Sequence, residues 1–252
     1  ICIISVLIVI KLLIKKLKIS TRMAYLISIG STVCGTTAIM ATAPVIKANK
    51  NEVSYAIANI TLFGILSMLL YPYFANLYFD GNSLFAGLFL GTAIHETSQV
   101  AAAGLIYDQQ FDSPETLNIA TVTKLIRNTF LIVMIPLFAF LYNRGSVKEK
   151  NYSIINIFPF FVLGFVTMII LRNLGDEVFS AYKNDIWIEI IDYIKFFSKV
   201  FLTMAMGAIG LSTNLKDIKI MGYKPFVVGF IAMLTVGIMC ILTIEIYLRL
   251  FI

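Results

Sequence analysis

Apolar residues in this chain come in runs about 20 long, separated by short polar stretches, and about 20 residues is what a helix needs to cross the hydrocarbon core of a bilayer. On that rule the sequence predicts spans near 1–17, 23–46, 53–72, 83–106, 117–142, 152–172, 193–213 and 225–250. Helical periodicity adds little, because the buried and lipid-facing sides of such helices are both apolar. No stretch alternates with period two as the strands of a membrane barrel must. The predicted fold class is an all-α membrane protein: a polytopic helical bundle forming a single transmembrane domain over 1–252.

Composition agrees. Apolar residues make up 59% of the 252 and charged residues 13%, where soluble domains carry about 25% charge. That excludes a soluble enzyme, a disordered chain, a secreted disulfide scaffold and a nucleic-acid-binding domain. The net charge of +6 has a topological reading, since Lys and Arg gather in cytoplasmic loops. With 11–22 placed inside, the loops 11–22, 73–83, 143–151 and 214–224 hold eleven Lys/Arg and three Asp/Glu. The loops 47–52, 107–116 and 172–192 then lie outside, with four Lys/Arg and nine Asp/Glu. The expectation is eight crossings with the C-terminus outside, unless 83–106 is re-entrant, which would invert everything after it. Tyr71, Tyr73, Tyr78, Tyr107, Tyr142, Tyr152 and Tyr223 fall near span ends, at headgroup depth. The three cysteines, Cys2, Cys34 and Cys240, form no framework, and one histidine excludes a multi-His metal site. No metal or cofactor is expected.

Two segments are unlike ordinary spans. One is Gly30-Ser31-Thr32-Val33-Cys34-Gly35-Thr36-Thr37, running on to Pro44; the other is Gly91-Thr92-Ala93-Ile94-His95-Glu96-Thr97-Ser98-Gln99, running on to Gly104. At an offset of 61 they match Gly30 with Gly91, Thr36 with Thr97 and Ala41 with Ala102, with conservative pairs between. Glycine and small hydroxyl residues in mid-span weaken a helix, and freed backbone groups survive at membrane depth only inside protein or beside a wet cavity. Transporters build binding sites from paired breaks of this kind, although small residues also serve close helix packing.

Ionisable residues at membrane depth are the remaining signal. His95 and Glu96 are adjacent, and Gln99 shares a helix face with His95. Lys124 and Arg127 lie three apart on one face of the span 117–142. Such charges cost about 2.5–3.5 kcal/mol each at a helix centre and mark a pair or a functional site. Glu96 as a structural partner of Lys124 or Arg127 is one reading. In the other, the cations attract an anion while His95 or Glu96 carries a proton. Glu245 and Arg249 read as a structural i,i+4 pair. His95-Glu96-Thr97-Ser98-Gln99 stops one residue short of the H-E-x-x-H zinc motif, so an intramembrane metalloprotease is disfavoured, and no nucleophile arrangement points to another enzyme.

Together with Ala205–Asn214 and Lys216–Gly222, these segments make the chain resemble the bacterial sulfate exporter family, multi-pass inner-membrane proteins named for an inferred substrate. The resemblance covers nearly the whole chain. It implies further N-terminal spans ahead of Ile1, an architecture related to sodium/bile-acid symporters and sodium/proton antiporters with crossed broken helices, and a further broken element at Ala205–Asn214. The function expected is secondary transport of a small anion (sulfate, sulfite or a sulfonate). Ser31, Thr32, Cys34, Gly35, Gln99, Lys124 and Arg127 would bind it, and His95 and Glu96 would couple protons. The rival class is a channel or other non-transport membrane component. Expected partners are the anionic solute and membrane lipid, with homo-oligomerisation left open.

Overall fold

The computed structural model describes residues 1–17, 19–113, 115–143, 160–180, 185–212 and 222–251, and every regular element among them is a helix. In chain order these are α1 (Cys2–Leu17), α2 (Thr21–Thr32), α3 (Thr36–Thr42), α4 (Lys50–Tyr78), α5 (Ser83–Ala93) and α6 (Thr97–Phe111). They are followed by α7 (Thr116–Thr129), α8 (Leu131–Asn143), α9 (Phe160–Ser180), α10 (Asp185–Ser212) and α11 (Lys224–Phe251). Among the described residues, α4 and α11 are each long and apolar enough to cross a membrane alone.

The segment 23–46, expected as one span, turns back on itself. Ser20 caps α2 by accepting from the Met23 N–H, and its hydroxyl donates to Glu52 Oε1 at 2.8 Å. Asn49 and Glu52 form a capping box that starts α4. A straight helix from Ser20 to Glu52 would hold them about 48 Å apart at 1.5 Å per residue. The reversal sits at Val33–Gly35, where Gly35 takes φ +63 and its N–H closes on the Gly30 carbonyl at 3.0 Å. A Cβ on Gly30 would lie 2.9 Å from Ile39 and 3.0 Å from Ile60, so the bare glycine lets α2 and α3 pack side by side against α4.

The segment 83–106 turns back as well, at Ile94–Glu96. Gly87 on α5 abuts Ile119, and Gly104 on α6 abuts Leu117, so both arms lie on the first turns of α7. At the open end of this hairpin Tyr107 donates to Asn76 Oδ1 at 3.3 Å and the Leu117 N–H to Asp108 Oδ1 at 3.2 Å. The first hairpin therefore opens beside the start of α4 and the second beside its end. Their tips meet near its middle, where Gln99 Nε2 donates to the Thr61 carbonyl at 3.2 Å.

Helices α1, α8 and α11 pack around this pair. From α7 the chain continues into α8, whose Leu131, Met134, Ile135 and Phe138 pack on Ile29, Val33, Cys34 and Ala38 of the first hairpin. Arg22 Nε reaches Tyr142 at 2.8 Å. Parallel to α4 runs α11: Tyr55 and Asn59 donate to the Gly222 and Pro225 carbonyls, each at 2.8 Å, and Tyr78 reaches Glu245 at 3.2 Å at the far end. Glu245 thus meets a tyrosine, rather than the Arg249 expected from spacing. Trp187 of α10 stacks on Phe179 of α9 and donates to Asp176 at 2.8 Å.

The sequence twice builds a hairpin followed by a long helical path, first α2–α3 with α4, then α5–α6 with α7–α8, in opposite senses. The breaks at 33–35 and 94–96 are offset by 61, the same offset at which the sequence resembles itself. Inverted repeats meeting at a shared centre are a recurrent transporter architecture. Here the interrupted helices fold back and meet tip to tip, where the resemblance implies crossed broken helices.

Folding back also rearranges the loops. Residues 47–52 join the end that carries Lys16, Arg22 and Lys224, and 73–83 join the end that carries Asp108, Asp112 and Glu115. Both swaps sharpen the charge asymmetry, because Lys47 and Lys50 move to the basic end and Asp80 to the acidic one. The expected outer loop 172–192 is largely helical, with α9 running to Ser180 and α10 starting at Asp185. Residues 144–159 and 213–221, including Asn214 and the Lys216–Met221 stretch, lie outside the described residues.

Candidate functional site

Glycines bring α7 against the second hairpin. A Cβ on Gly91 would collide with the Ala120 carbonyl and lie 2.7 Å from Thr123. At that distance the face of α7 carrying Lys124 and Arg127 enters the space between the two hairpin tips, and both side chains are buried. Lys124 Nζ donates to the carbonyls of Val33 at 2.8 Å, Ile94 at 2.9 Å and His95. Arg127 Nε donates to Thr32 at 2.7 Å and Nη2 to Ser31 at 2.6 Å. Arg127 Nη1 is shared between the carbonyls of Thr92 and Ile94.

These carbonyls belong to the last turns of α2 and α5, which the breaks deprive of intrahelical partners. Each such end carries roughly half a negative charge, and leaving a buried acceptor unpaired costs about 1–3 kcal/mol. One cation pair on α7 therefore satisfies the C-terminal ends of both interrupted helices. It spends all three N–H groups of Lys124 and leaves Arg127 one N–H of its five. The sequence expected these donors to face an anion; they face backbone carbonyls.

Glu96 holds the opposite side. It precedes α6, and its N–H donates to Gln99 Oε1 at 3.3 Å. Its Oε1 accepts from the Thr36 N–H at 3.2 Å and from the Thr36 hydroxyl, tying the two tips together. Close packing requires Gly35, because a Cβ there would strike the Glu96 side chain and φ +63 disfavours other residues. Neither Lys124 nor Arg127 makes a hydrogen bond to Glu96 among the described contacts, so the expected Glu96 ion pair is not formed directly.

Polar atoms without partners concentrate at this junction: Ser31 Oγ, both ring nitrogens of His95, Glu96 Oε2, Thr61 Oγ1 and Asn128 Oδ1. Ser31 and His95 are 0% exposed and Glu96 4%. Buried polar groups are nearly always satisfied, so a cluster of orphans marks a place for water or a polar solute. Thr32 is not among them, since its hydroxyl bonds back to Ser28 at 2.7 Å, and the buried Cys34 packs in the apolar cluster against α8.

Every residue singled out in the two breaks and on α7 therefore comes to one junction. Thr61, Gly64 and Asn128 were not singled out. A Cβ on Gly64 would displace the Gln99 amide, and Asn128 Nδ2 reaches Thr97 Oγ1 at 3.3 Å. A glycine in an apolar run carries no signal of what packs on it. Asn128, one residue after Arg127, was the visible clue. No group of His, Cys, Asp and Glu that could hold a metal ion occurs among the described residues.

Two inverted hairpins joined through a buried cation pair and a buried carboxylate, within an all-helical apolar chain, define a helical membrane protein. The family model described as Conserved hypothetical protein 698 matches residues 1–229. The chain belongs to this family, which is the sulfate exporter family that its motifs resemble. It is 37% identical over 248 residues to a UPF0324 membrane protein of Fusobacterium nucleatum, covering 94% of this chain and 71% of the relative. A UPF0324 membrane protein of Streptococcus agalactiae is 36% identical over 227 residues, covering 90% and 65%. One from Clostridium tetani is 33% identical over 242 residues, covering 90% and 66%. The chain thus spans about two thirds of the length of these curated relatives. No solved structure matches it.

Proposed function

We propose that the chain forms the core of a secondary transporter for a small anion, a multi-pass protein of the bacterial cell membrane rather than an enzyme. Sulfate, sulfite and organic sulfonates are the substrate class that the family's name suggests. The observation that carries this reading is the convergence of two inverted, interrupted helices on one buried polar junction. A purely structural ion pair needs no such breaks, and transporters use them to expose backbone and polar groups to a solute at membrane depth.

The junction favours an anion once Glu96 is protonated. Lys124 and Arg127 carry two positive charges against one carboxylate and two helix ends of roughly half a negative charge each, which balance while Glu96 is ionised and leave about one net positive charge when it is not. Their attraction is mainly electrostatic, because most of their donors hold carbonyls. Ser31 and the remaining Arg127 N–H supply direct hydrogen bonds. Thr32, Cys34 and Gly35 shape the first tip, and Gln99 fixes the second. His95 and Glu96 carry the coupled proton. Because the chain spans part of its relatives' length, the test uses the protein reconstituted in liposomes. Labelled sulfate should exchange saturably across the membrane, and Arg127→Ala should abolish the exchange. Intact exchange in that variant rejects the assigned role, and flux that never saturates indicates a channel.

A further inference from the structure

Glu96 occupies an unusual position for a group whose only task is to carry a proton. One carboxylate oxygen takes two donors of the opposite hairpin, the N–H and hydroxyl of Thr36. The other, Oε2, is buried without a partner, beside His95, whose ring nitrogens also lack partners. A carboxylate held by donors at a hairpin tip, with cations behind it, is bound as a small external anion would be bound. We propose that Glu96 is a built-in competitor for the transported anion: ionised, it holds the Thr36 donors, and protonation releases them, so that anion and proton bind together and cross in the same direction. This rests on the anion-transport reading above.

Two physical consequences point the same way. Protonation removes one negative charge from the junction, so the unchanged charges of Lys124 and Arg127 attract an incoming anion more strongly. It also weakens the claim of Glu96 on Thr36, since hydrogen bonds to an ionised acceptor are roughly twice as strong as neutral ones. The groups about Glu96 are His95 on its own tip, Gln99 on α6, Cys34, Gly35 and Thr36 on the opposite tip, and Lys124 from α7, while α4 brings the uncharged Thr61 and Gly64 to Gln99. Of these, His95 is the group whose ordinary titration falls near neutral pH, so the test must separate it from Glu96. Linkage makes the coupling reciprocal, with a typical size of about 5- to 150-fold in affinity.

The experiment measures binding of sulfate and of methanesulfonate to the purified protein, two probes whose own charge is constant between about pH 5 and 8, the window in which histidine titrates. Affinity should rise as pH falls, by up to about tenfold per unit for one linked proton. Sulfate added to protein in unbuffered solution should raise the pH as Glu96 takes up a proton. Glu96→Gln should bind at neutral pH as tightly as the unsubstituted protein does in acid, and lose the pH response. Binding that is independent of pH, or that weakens in acid, overturns the proposal, as does a Glu96→Gln protein that keeps the original pH response through His95. Should that variant fail to fold, the proton-uptake measurement decides alone, and no uptake overturns the proposal. Sulfate exchange at constant pH in liposomes separates the two readings: exchange without pH linkage removes only this inference. Absence of exchange and of binding removes the anion reading with it.

Discussion

Replacing Lys124 by methionine keeps the length of the side chain and removes the charge that joins the two hairpin tips. The substitution strands the buried carbonyls of Val33 and His95, while that of Ile94 keeps Arg127 Nη1 at 3.3 Å. At about 1–3 kcal/mol for each unsatisfied acceptor the sum is roughly 2–6 kcal/mol. Relief of the desolvation of the ammonium offsets part of it, which brings the net near the 3–5 kcal/mol typical of breaking a buried charged network. With about 2–4 °C per kcal/mol for a chain of this size, Lys124→Met should lower Tm by roughly 10 °C. A thiol-reactive fluorophore suits the measurement, because Cys34 and Cys240 are buried and react on unfolding. Lys195→Met, at an exposed pair with Asp192, is the control and should move Tm by about 2 °C or less. A Lys124→Met protein that unfolds within about 2 °C of the original would refute the capping role assigned to this cation.

Gly35→Ala should cost about 1–3 kcal/mol through its backbone alone and also displace Glu96, whereas Gly222→Ala, at a similar φ but facing open space, should show only the backbone cost; equal loss of sulfate binding in the two would contradict the contact. Gly64→Ala should push the Gln99 amide from its place and slow sulfate exchange more than it lowers Tm, and exchange at the original rate would show that Gln99 is not needed there. Thr36→Val removes one donor from Glu96, so the pH at which anion binding strengthens should move upward; an unchanged profile would separate Thr36 from the coupled proton. Single cysteines at Lys16 and Lys47 should be labelled from the same side of the membrane, and labelling from opposite sides would show that 23–46 runs straight through.

Much of the site was legible in the sequence. Gly30–Thr37 and Gly91–Gln99 stand out because small polar residues interrupt apolar runs, and their offset of 61 is the spacing of the two hairpin tips. Lys124 and Arg127 stand out because charge at membrane depth is costly. The fold-back was not legible, because hydropathy measures the length of an apolar run and not its path. Two short arms with a turn between them have the residue count of one crossing. A clue lay in Lys47 and Lys50, which sit uneasily on the acidic side of a straight reading. What the cations touch was also hidden. An anion and a row of freed carbonyls present the same demand for buried positive charge, and only the arrangement of the tips separates them. Gly64 and Thr61 gave no signal, because their role depends on which helix arrives beside them.

Coupling of anion movement to protons at the meeting point of the two hairpins underlies both proposals. It is tested most directly by uptake of labelled sulfate into liposomes containing the protein, with the interior made more alkaline than the medium. Labelled sulfate should accumulate above its external concentration at a rate that saturates with sulfate, and the accumulation should collapse when a protonophore dissipates the gradient. Sulfate that only equilibrates, at a rate indifferent to the proton gradient, would contradict the coupling.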